Sequence, residues 1–494
     1  MKYLSKIFQP LVSTPKNAVV KNLDAASKSQ KLLFELGLVR PLGAAGCFAL
    51  LPLLLRSRDK LCRLVSGALE GAGAQPTVLP LLAPEESWRR SGRLEDAGEE
   101  LMKVGDRQGR CYILSPTHEE LMTELMAELS PISPKQLPLM LYQIGPKFRD
   151  EMRPRHGIIR SREFLMKDLY TFHEDEECAR RTYHLIGEVY QRIFQEIGVD
   201  YIKVEADTGV MGGSLSHEYH YPAAIGEDRL RQCTSCAHQT SPLLHDEGTK
   251  CSRCGGNHVK EIMGIEVGHT FLLGTRYSQP LGAHLVSKKP LHMGCYGLGL
   301  SRILAASLEA LCSPTQLRWP PALAPYSLCI IGPKEGSKEF EVASPLVEKV
   351  YSLLQESCPR LKEDILVDDR THMTIGKRVM EAKRSAIINQ CRMNCRPDEL
   401  SQDELSPDEL SQDELSWNHS KYLSVFETWC CAGIIGKLPA PGSILKQRKK
   451  PSKVRDYSFH RPIPVIDILK HSQWSFLVKN RIYSSHRLVS RHQS

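Results

Sequence analysis

The stretch Lys147 to Asp168 reads KFRDEMRPRHGIIRSREFLMKD and sets seven basic residues, Lys147, Arg149, Arg153, Arg155, Arg160, Arg162 and Lys167, among acids and apolar side chains. Taking Tyr142 to Asp150 as a strand, Pro154 to Gly157 as a loop and Ile158 to Lys167 as a returning strand makes it an antiparallel hairpin. Alternate side chains share a face. Arg149 and Glu151 therefore point one way from the first arm, and Arg160, Arg162 and Phe164 point together from the second. Arginines beside a flat aromatic ring suit a phosphate chain and a base; a charged, solvated surface hairpin is the plain alternative.

The remaining sequence bounds what such a hairpin can belong to. At 494 residues, 41% hydrophobic and 25% charged, the chain has the composition of a globular protein with room for two or three domains. A formal charge of +8 favours a polyanionic partner. The charge is uneven: Pro397 to Ser416 holds eight acids and no base, and Trp417 to Ser494 holds fourteen Lys or Arg against three acids. Sixteen cysteines, twelve of them scattered, suit a reducing compartment better than a disulfide-stapled secreted chain. The most apolar run, Leu42 to Leu55, contains Pro52, is too short to span a bilayer, and reads as buried core. In the first thirty residues Lys2, Lys6, Lys16, Lys21 and Lys28 stand against Asp24 alone, without arginine. That composition fits a weak or truncated organelle-targeting segment and equally an untargeted extension.

Before the hairpin, Ser57 to Gly71 has apolar residues at Leu61, Leu64, Val65, Ala68 and Leu69, the spacing of an amphipathic helix. Gln75 to Leu82 reads as a strand that Pro80, lacking a donor, confines to an edge or a bulge. YILSPTHEE, Tyr112 to Glu120, reads as a strand, a turn at Pro116 and a helix to about Leu129 capped by Thr117. After the hairpin, Glu174 to Ile197 gathers Tyr183, Ile186, Val189, Tyr190 and Ile193 on one side of a packing helix. Val204 to Tyr221 reads as a glycine-bearing loop containing His217 and Glu218. Cys233, Cys236, Cys251 and Cys254 form two CxxC pairs separated by fourteen residues. Two such knuckles can set four thiolates around a structural zinc ion, the alternative being four unrelated thiols. Gly264 to Tyr277, GIEVGHTFLLGTRY, reads as a strand around His269 to Leu273, and MGCYGLGLSRIL places Gly297 and Gly299 ahead of Arg302 on a helix.

FRDE, a loop and R-x-R-E-F together resemble motif 2 of class II aminoacyl-tRNA synthetases, and the RPR loop followed by REFLMKD resembles the prolyl-tRNA synthetases of bacterial and mitochondrial type. PTHEE before the hairpin, and GIEVGHTF and GLGLSR after it, follow in that family's order; the helix and strand before PTHEE resemble its motif 1, a dimer interface. The resemblance covers about Gln30 to Lys383. It implies an α+β fold, a class II synthetase antiparallel sheet flanked by helices and followed by a partial α/β anticodon-binding domain. It also implies that Arg149 holds the α-phosphate and the amino-acid carboxylate, that Glu151 and Arg160 fix the nucleotide, that Phe164 stacks on adenine, and that Gly297 and Gly299 admit the nucleotide while Arg302 meets its distal phosphates. Thr117, Glu119, Glu266 and His269, with Arg149, would bind proline, and Phe271 would wall the pocket beside Cys295. ATP with Mg2+, proline and tRNA(Pro) are the implied ligands, with a homodimer in the mitochondrial matrix and no membrane association.

The implied domains are an extension or targeting remnant at 1–29, a catalytic domain at 30–318 with the four-cysteine insert at 233–254, a linker at 319–325 and a partial anticodon-binding domain at 326–384. In the last of these Ser327 to Ile331 and Ile365 to Asp368 read as strands, Ser344 as the cap of a helix to Ser357 that opens on Pro345, and Ile375 to Lys383 as a second helix. The resemblance then stops. Residues 385–494 read as a divergent, disordered tail with two copies of PDELSQDELS at 397–416. Some bacterial relatives carry an editing domain between motifs 2 and 3, for which Asp168 to Gly294 leaves no room, so hydrolysis of mischarged alanyl-tRNA is not expected. A non-catalytic tRNA-binding or accessory protein of this fold, or a class II synthetase for another amino acid, are the competing readings.

Overall fold

The computed structural model describes residues 1–11, 27–236, 239–240, 251, 253–256 and 259–385. The acidic repeat and the basic tail lie outside the described residues.

The hairpin pairs Leu139–Phe148 with Glu163–His173, antiparallel, so both arms are displaced from their expected limits. The return strand begins at Glu163 rather than Ile158 because Ile158 and Ile159 are drawn into the core as a single 3-10 turn. His156 and Gly157 reverse the chain there with φ of 57° and 62°, the left-handed region that glycine occupies without strain. Arg162 consequently turns to Asp150 and the Glu151 carbonyl, away from Arg160 and Phe164.

This hairpin lies within a nine-stranded sheet. Its strands run Gln239–Thr240, Asp228–Cys233, Val259–Gly274, His292–Gly299, Glu163–His173, Leu139–Phe148 and Gln75–Pro76, while Leu215–Pro222 joins Val259–Gly274 to Ile202–Ala206. Every pairing is antiparallel except that of Gln75–Pro76 with Leu139–Phe148. The period of two then sorts side chains. Leu169 enters a core built with Tyr190 and Phe194 of the helix Glu176–Ile197 and Ile303 and Leu304 of the helix Leu300–Leu311. Phe164, Met166, Asp168 and Tyr170 face the opposite side and line a cavity. Burying each large apolar side chain contributes about 1.5–3 kcal/mol, which gives this helical layer its hold on the sheet.

Several elements depart from their expected spans. The apolar run Leu42 to Leu55 is divided between an exposed turn at Leu42, the strand Phe48–Leu50 and the helix Pro52–Glu70, which opens on Pro52. Gln75 to Leu82 keeps only a two-residue edge strand, and Leu82–Pro84 joins Cys111–Leu114 and Met102–Gly105 in a separate three-stranded sheet. The helix after PTHEE starts at Glu119 with His118 as its uncapped N-cap, so Thr117 does not cap it. Val204 to Tyr221 is mostly strand, and His217 accepts from or donates to Tyr183 Oη at 2.7 Å, on the helical side.

Residues 319–325 are packed, with Leu323 and Ala324 buried and Ser57 Oγ donating to the Leu323 carbonyl at 2.5 Å. Beyond them Leu328–Ile331 and Ile365–Asp368 pair in parallel, and the intervening helix spans Phe340–Ser357, starting ahead of Ser344 with Pro345 inside it. Asp364 is bound by Arg56 and Lys60 at 2.8 Å each, tying these strands to the helix Pro52–Glu70. Met1 to Leu11 also docks: Tyr3 bridges Val367, Ser5 N donates to Asp369 at 3.0 Å, and a Cβ at Gly37 would lie 2.5 Å from the Pro10 carbonyl oxygen. No helix among the described residues is long and apolar enough to cross a membrane.

His173 ends the central strand without exposure, Nε2 2.8 Å from Thr171 Oγ1 and Nδ1 3.3 Å from Cys178 Sγ. Burial, and secondarily the charge of His292, pushes its pKa down to about 4. Because the folded value lies below the unfolded one, the stability it allows is complete above about pH 6.5 and is lost as pH falls toward 4. Denaturant titrations across that window should show a loss on the order of 3 kcal/mol that His173→Gln removes.

Candidate active site

A cavity of ≈ 950 Å³ opens on the sheet face opposite the helical layer. Its floor follows from strand alternation, with Asp168 and Tyr170 from one central strand and Cys295, Gly297 and Gly299 from the next. At Gly297 a Cβ would meet nothing nearer than 3.8 Å, so the floor is bare where a flat or charged ligand would lie. Its walls are the hairpin tip, the start of the helix Glu119–Glu128 and the strand Val259–Gly274.

All of the motif residues named above, Thr117, Glu119, Arg149, Glu151, Arg160, Phe164, Glu266, His269, Gly297, Gly299 and Arg302, border this one cavity. The hairpin tip is cross-braced by acids. Arg160 binds Glu151 at 2.7 Å and also Glu227, while Arg155 binds Glu227 at 2.6 Å. Arg302 is held by the Ile159 carbonyl at 3.1 Å, the Glu266 carbonyl at 3.1 Å and the Glu266 carboxylate at 3.4 Å. Burial would raise the Glu266 pKa, but the His269 hydrogen bond and the Arg302 charge prevail and lower it to about 2. His269 stacks on Phe271 at 3.9 Å between ring centroids, and its Nδ1 lies 3.3 Å from Glu266.

Arg149 differs from these neighbours. Its guanidinium lies 5.3 Å from the Phe164 ring centre and has no carboxylate within ion-pair distance among the described residues. Burial, then the like charge of Arg302, depresses its pKa, so a negatively charged group placed against it would be favoured. Thr117 Oγ1 and His269 Nε2 are also buried without a hydrogen-bond partner. These two orphaned polar atoms, with the Arg149 cation between acids that pair elsewhere, mark places where a ligand completes the bonding.

The layer beneath the cavity is ionic and was not legible from motifs. Lys147, with no exposure, places Nζ 2.8 Å from Asp168 Oδ1 and 2.7 Å from His118 Nδ1. Gln143 Nε2 donates to Asp168 Oδ2 at 2.9 Å, and His118 Nε2 lies 3.0 Å from the Pro80 carbonyl. Asp168 shares a strand face with Phe164, so the alternation that pointed to one contained the signal for the other. Glu227, Arg93 and the Gly209–Met211 turn carried no comparable signal. His217 and Glu218 do not border the cavity; Glu218 lies behind it, 3.9 Å from His269.

At the far end of the sheet, Cys233, Cys236, Cys251 and Cys254 bring their sulfurs within 4.8 Å of one another. The Cys233–Cys254 and Cys236–Cys251 separations are 3.6 Å, close to the roughly 3.8 Å between ligands of a tetrahedral zinc with Zn–S bonds of about 2.3 Å. Backbone N–H of Cys236 lowers the Cys233 pKa to about 6, favouring the thiolate that a metal requires. The cluster is well away from the cavity lining, and four sulfur donors leave no open position for a substrate.

Residues 102–311 match the tRNA synthetase class II core domain (G, H, P, S and T), which sets the class. A Rattus norvegicus protein named probable proline–tRNA ligase, mitochondrial, is 46% identical over 366 residues, spanning 73% of this chain and 76% of that one. The proline–tRNA ligase of Ehrlichia chaffeensis is 35% identical, spanning 70% of this chain and 83% of its own. The fold is shared with Giardia lamblia prolyl-tRNA synthetase solved with prolyl-adenylate, at TM-score 0.60, 18% identity and coverage of 73% and 67%. This chain belongs to the proline–tRNA ligase family, enzymes that form aminoacyl-tRNA.

Lys147→Met leaves Asp168 charged and buried without its cation. Removing one partner of such a pair costs about 3–5 kcal/mol, so thermal or denaturant unfolding should show a loss of that order.

Proposed function

We propose that this cavity activates proline with ATP and passes the prolyl group to tRNA(Pro). The observation that carries the reading is Arg149, a cation in the cavity without a carboxylate partner among the described residues, ringed by the other motif residues. A proline carboxylate oxygen attacks the α-phosphorus, the bond to the bridging oxygen of the β-phosphate breaks, and pyrophosphate leaves. The terminal ribose hydroxyl of the tRNA then attacks the prolyl carbonyl, loses its proton and releases AMP.

In this reading Arg149 spans the proline carboxylate and the α-phosphate, where negative charge concentrates in the transition state. Phe164, already beneath the Arg149 guanidinium, offers its ring to adenine, while Glu151 and Arg160 fix the nucleotide and Arg302 meets the distal phosphates. Glu119 and Thr117 take the imino group of proline; Glu266 and His269, paired with each other, close the pocket against Phe271. Magnesium brought in with ATP would neutralise phosphate charge, with the cavity-lining acids Glu151 and Glu227 beside Arg160 as the oxygen donors that would hold it. Much of the acceleration would come from placement and fixed charge.

The cysteine cluster would hold a structural zinc ion, and residues 326–384 would form part of the anticodon-binding unit after the packed linker 319–325. A homodimer in the mitochondrial matrix completes the proposal, supported by the mitochondrial names of close relatives.

Proline-dependent ATP–pyrophosphate exchange tests activation, and aminoacylation of a proline tRNA tests transfer. Absence of exchange would refute the reading, whereas exchange without charging would place the fault in the C-terminal region. Arg149→Ala should lower kcat/KM for exchange by about 10²–10³-fold, the usual effect of removing one preorganised donor. Elemental analysis of the purified chain should find one zinc per chain, reduced in Cys233→Ser; a metal-free, fully folded wild type would overturn the assignment.

A further inference from the structure

Arg93 lies outside every motif. It opens a four-residue helix after Gly92, whose φ of 74° turns the chain inward, and only 4% of it is exposed. The guanidinium lies 4.6 Å from the Trp88 ring centre and 5.7 Å from that of Tyr277, and Nη2 is 3.1 Å from Met211 Sδ. Nη1 reaches both carboxylates of the helix start, Glu119 Oε2 at 3.2 Å and Glu120 at 3.1 and 3.2 Å. One cation therefore serves two fully buried acids. Ser91 Oγ supplies a further donor to Glu120 at 2.8 Å.

The other oxygen of Glu119 is equally committed. Cys295 Sγ donates to Oε1 at 3.0 Å and Tyr170 Oη donates to it at 3.3 Å. Burial, then the Glu119 charge, holds the Cys295 thiol protonated, and burial does the same for the Tyr170 phenol, so both remain donors. An ionised carboxylate has about four lone-pair sites, and three donors leave one toward the cavity. Beside it stands Thr117 Oγ1, buried and without a partner. One carboxylate site and one hydroxyl match the two N–H bonds of a secondary ammonium. A primary ammonium would carry a third N–H without an acceptor there, which is costly in a dry pocket.

We propose that Arg93 is a positioning residue for proline recognition, fixing the plane and the charge of the Glu119 carboxylate that receives the substrate's secondary ammonium. The inference rests on the reading of Glu119 as the imino partner. The ionisable groups packed around the carboxylate are Arg93, Glu120, Tyr170, Tyr277, Cys295 and His118, with Lys147 and Asp168 one layer below. Among the described residues Arg93 is the cation that touches Glu119, so removing it leaves the carboxylate plane held only by Cys295 and Tyr170.

The test is proline-dependent ATP–pyrophosphate exchange with Arg93→Met and Arg93→Lys, read as separate KM values for proline and ATP and as kcat. Arg93→Met should raise the proline KM roughly tenfold to a hundredfold while leaving the ATP KM near wild type. Arg93→Lys keeps the charge and one donor and should restore the proline KM in part, to within about tenfold of wild type. If Arg93→Met does not fold, Arg93→Met/Glu120→Gln removes the cation with one of its acids; an elevated proline KM in that folded variant supports the proposal. A proline KM within about twofold of wild type in either folded variant overturns it. Wild type without proline-dependent exchange overturns the Glu119 reading first, and this inference with it.

Discussion

A lysine ammonium shut away from water must meet an anion at hydrogen-bond distance, and Lys147 meets Asp168 at 2.8 Å between the two arms of the hairpin. The cavity is built on that contact. His118 rests on the same ammonium, and the next residues, Glu119 and Glu120, begin the helix that carries acidic groups to the cavity wall. Gln143 donates to the second oxygen of Asp168, while Oδ1 faces the Lys147 ammonium as an ion pair without a directed hydrogen bond. An incompletely paired layer at this depth would draw water or protons into the site. Asp168 itself borders the cavity, so its pairing with Lys147 limits the negative charge that a ligand meets at the floor.

Above that layer the site is not a uniformly basic trough. Arg155, Arg160 and Arg302 are each balanced by Glu227, Glu151 or Glu266, and Arg149 is left facing Phe164. Paired arginines are held in place with their side-chain entropy already lost, which lowers the cost of ordering them around a polyphosphate. The acids also keep the empty cavity from accumulating like charge. Catalysis by placement needs such a frame more than it needs a reactive side chain.

The motif residues that border the cavity, and the cysteines that cluster, were legible because each sits in a short string whose spacing is dictated locally. FRDE and R-x-R-E-F lie on paired strands, GLGLSR crosses from strand to helix, and the cysteines come in CxxC turns. The fold's outer connections were harder to read. Ile158 looks like a strand residue by composition, but its apolar side chain is captured by the core, shifting the return arm by five positions. Pro345 looks like a helix start, yet Phe340 to Ser344 form helix ahead of it. Arg93 had no periodic context, since its burial depends on Trp88, Tyr277 and Glu120 arriving from separate segments. Local spacing reveals what a short segment must do; it does not reveal which distant segment will close over it.

The cysteine cluster lies at the end of the ladder in which Cys233 pairs with Val259 and Asp228 with Gly264. Two residues further along the same strand stands Glu266, and His269 follows it. Three positions apart, they would face opposite sides of a regular strand; the register shift opposite Tyr219 and His220, which passes over Val267, lets both line the cavity. A metal ion held by the four sulfurs at this end would act on phase, keeping the hydrogen-bond ladder in the alignment that carries an acid and an imidazole to the cavity. It can govern the chemistry of a pocket it never touches, as a stop at the end of a rule decides where every mark along it falls.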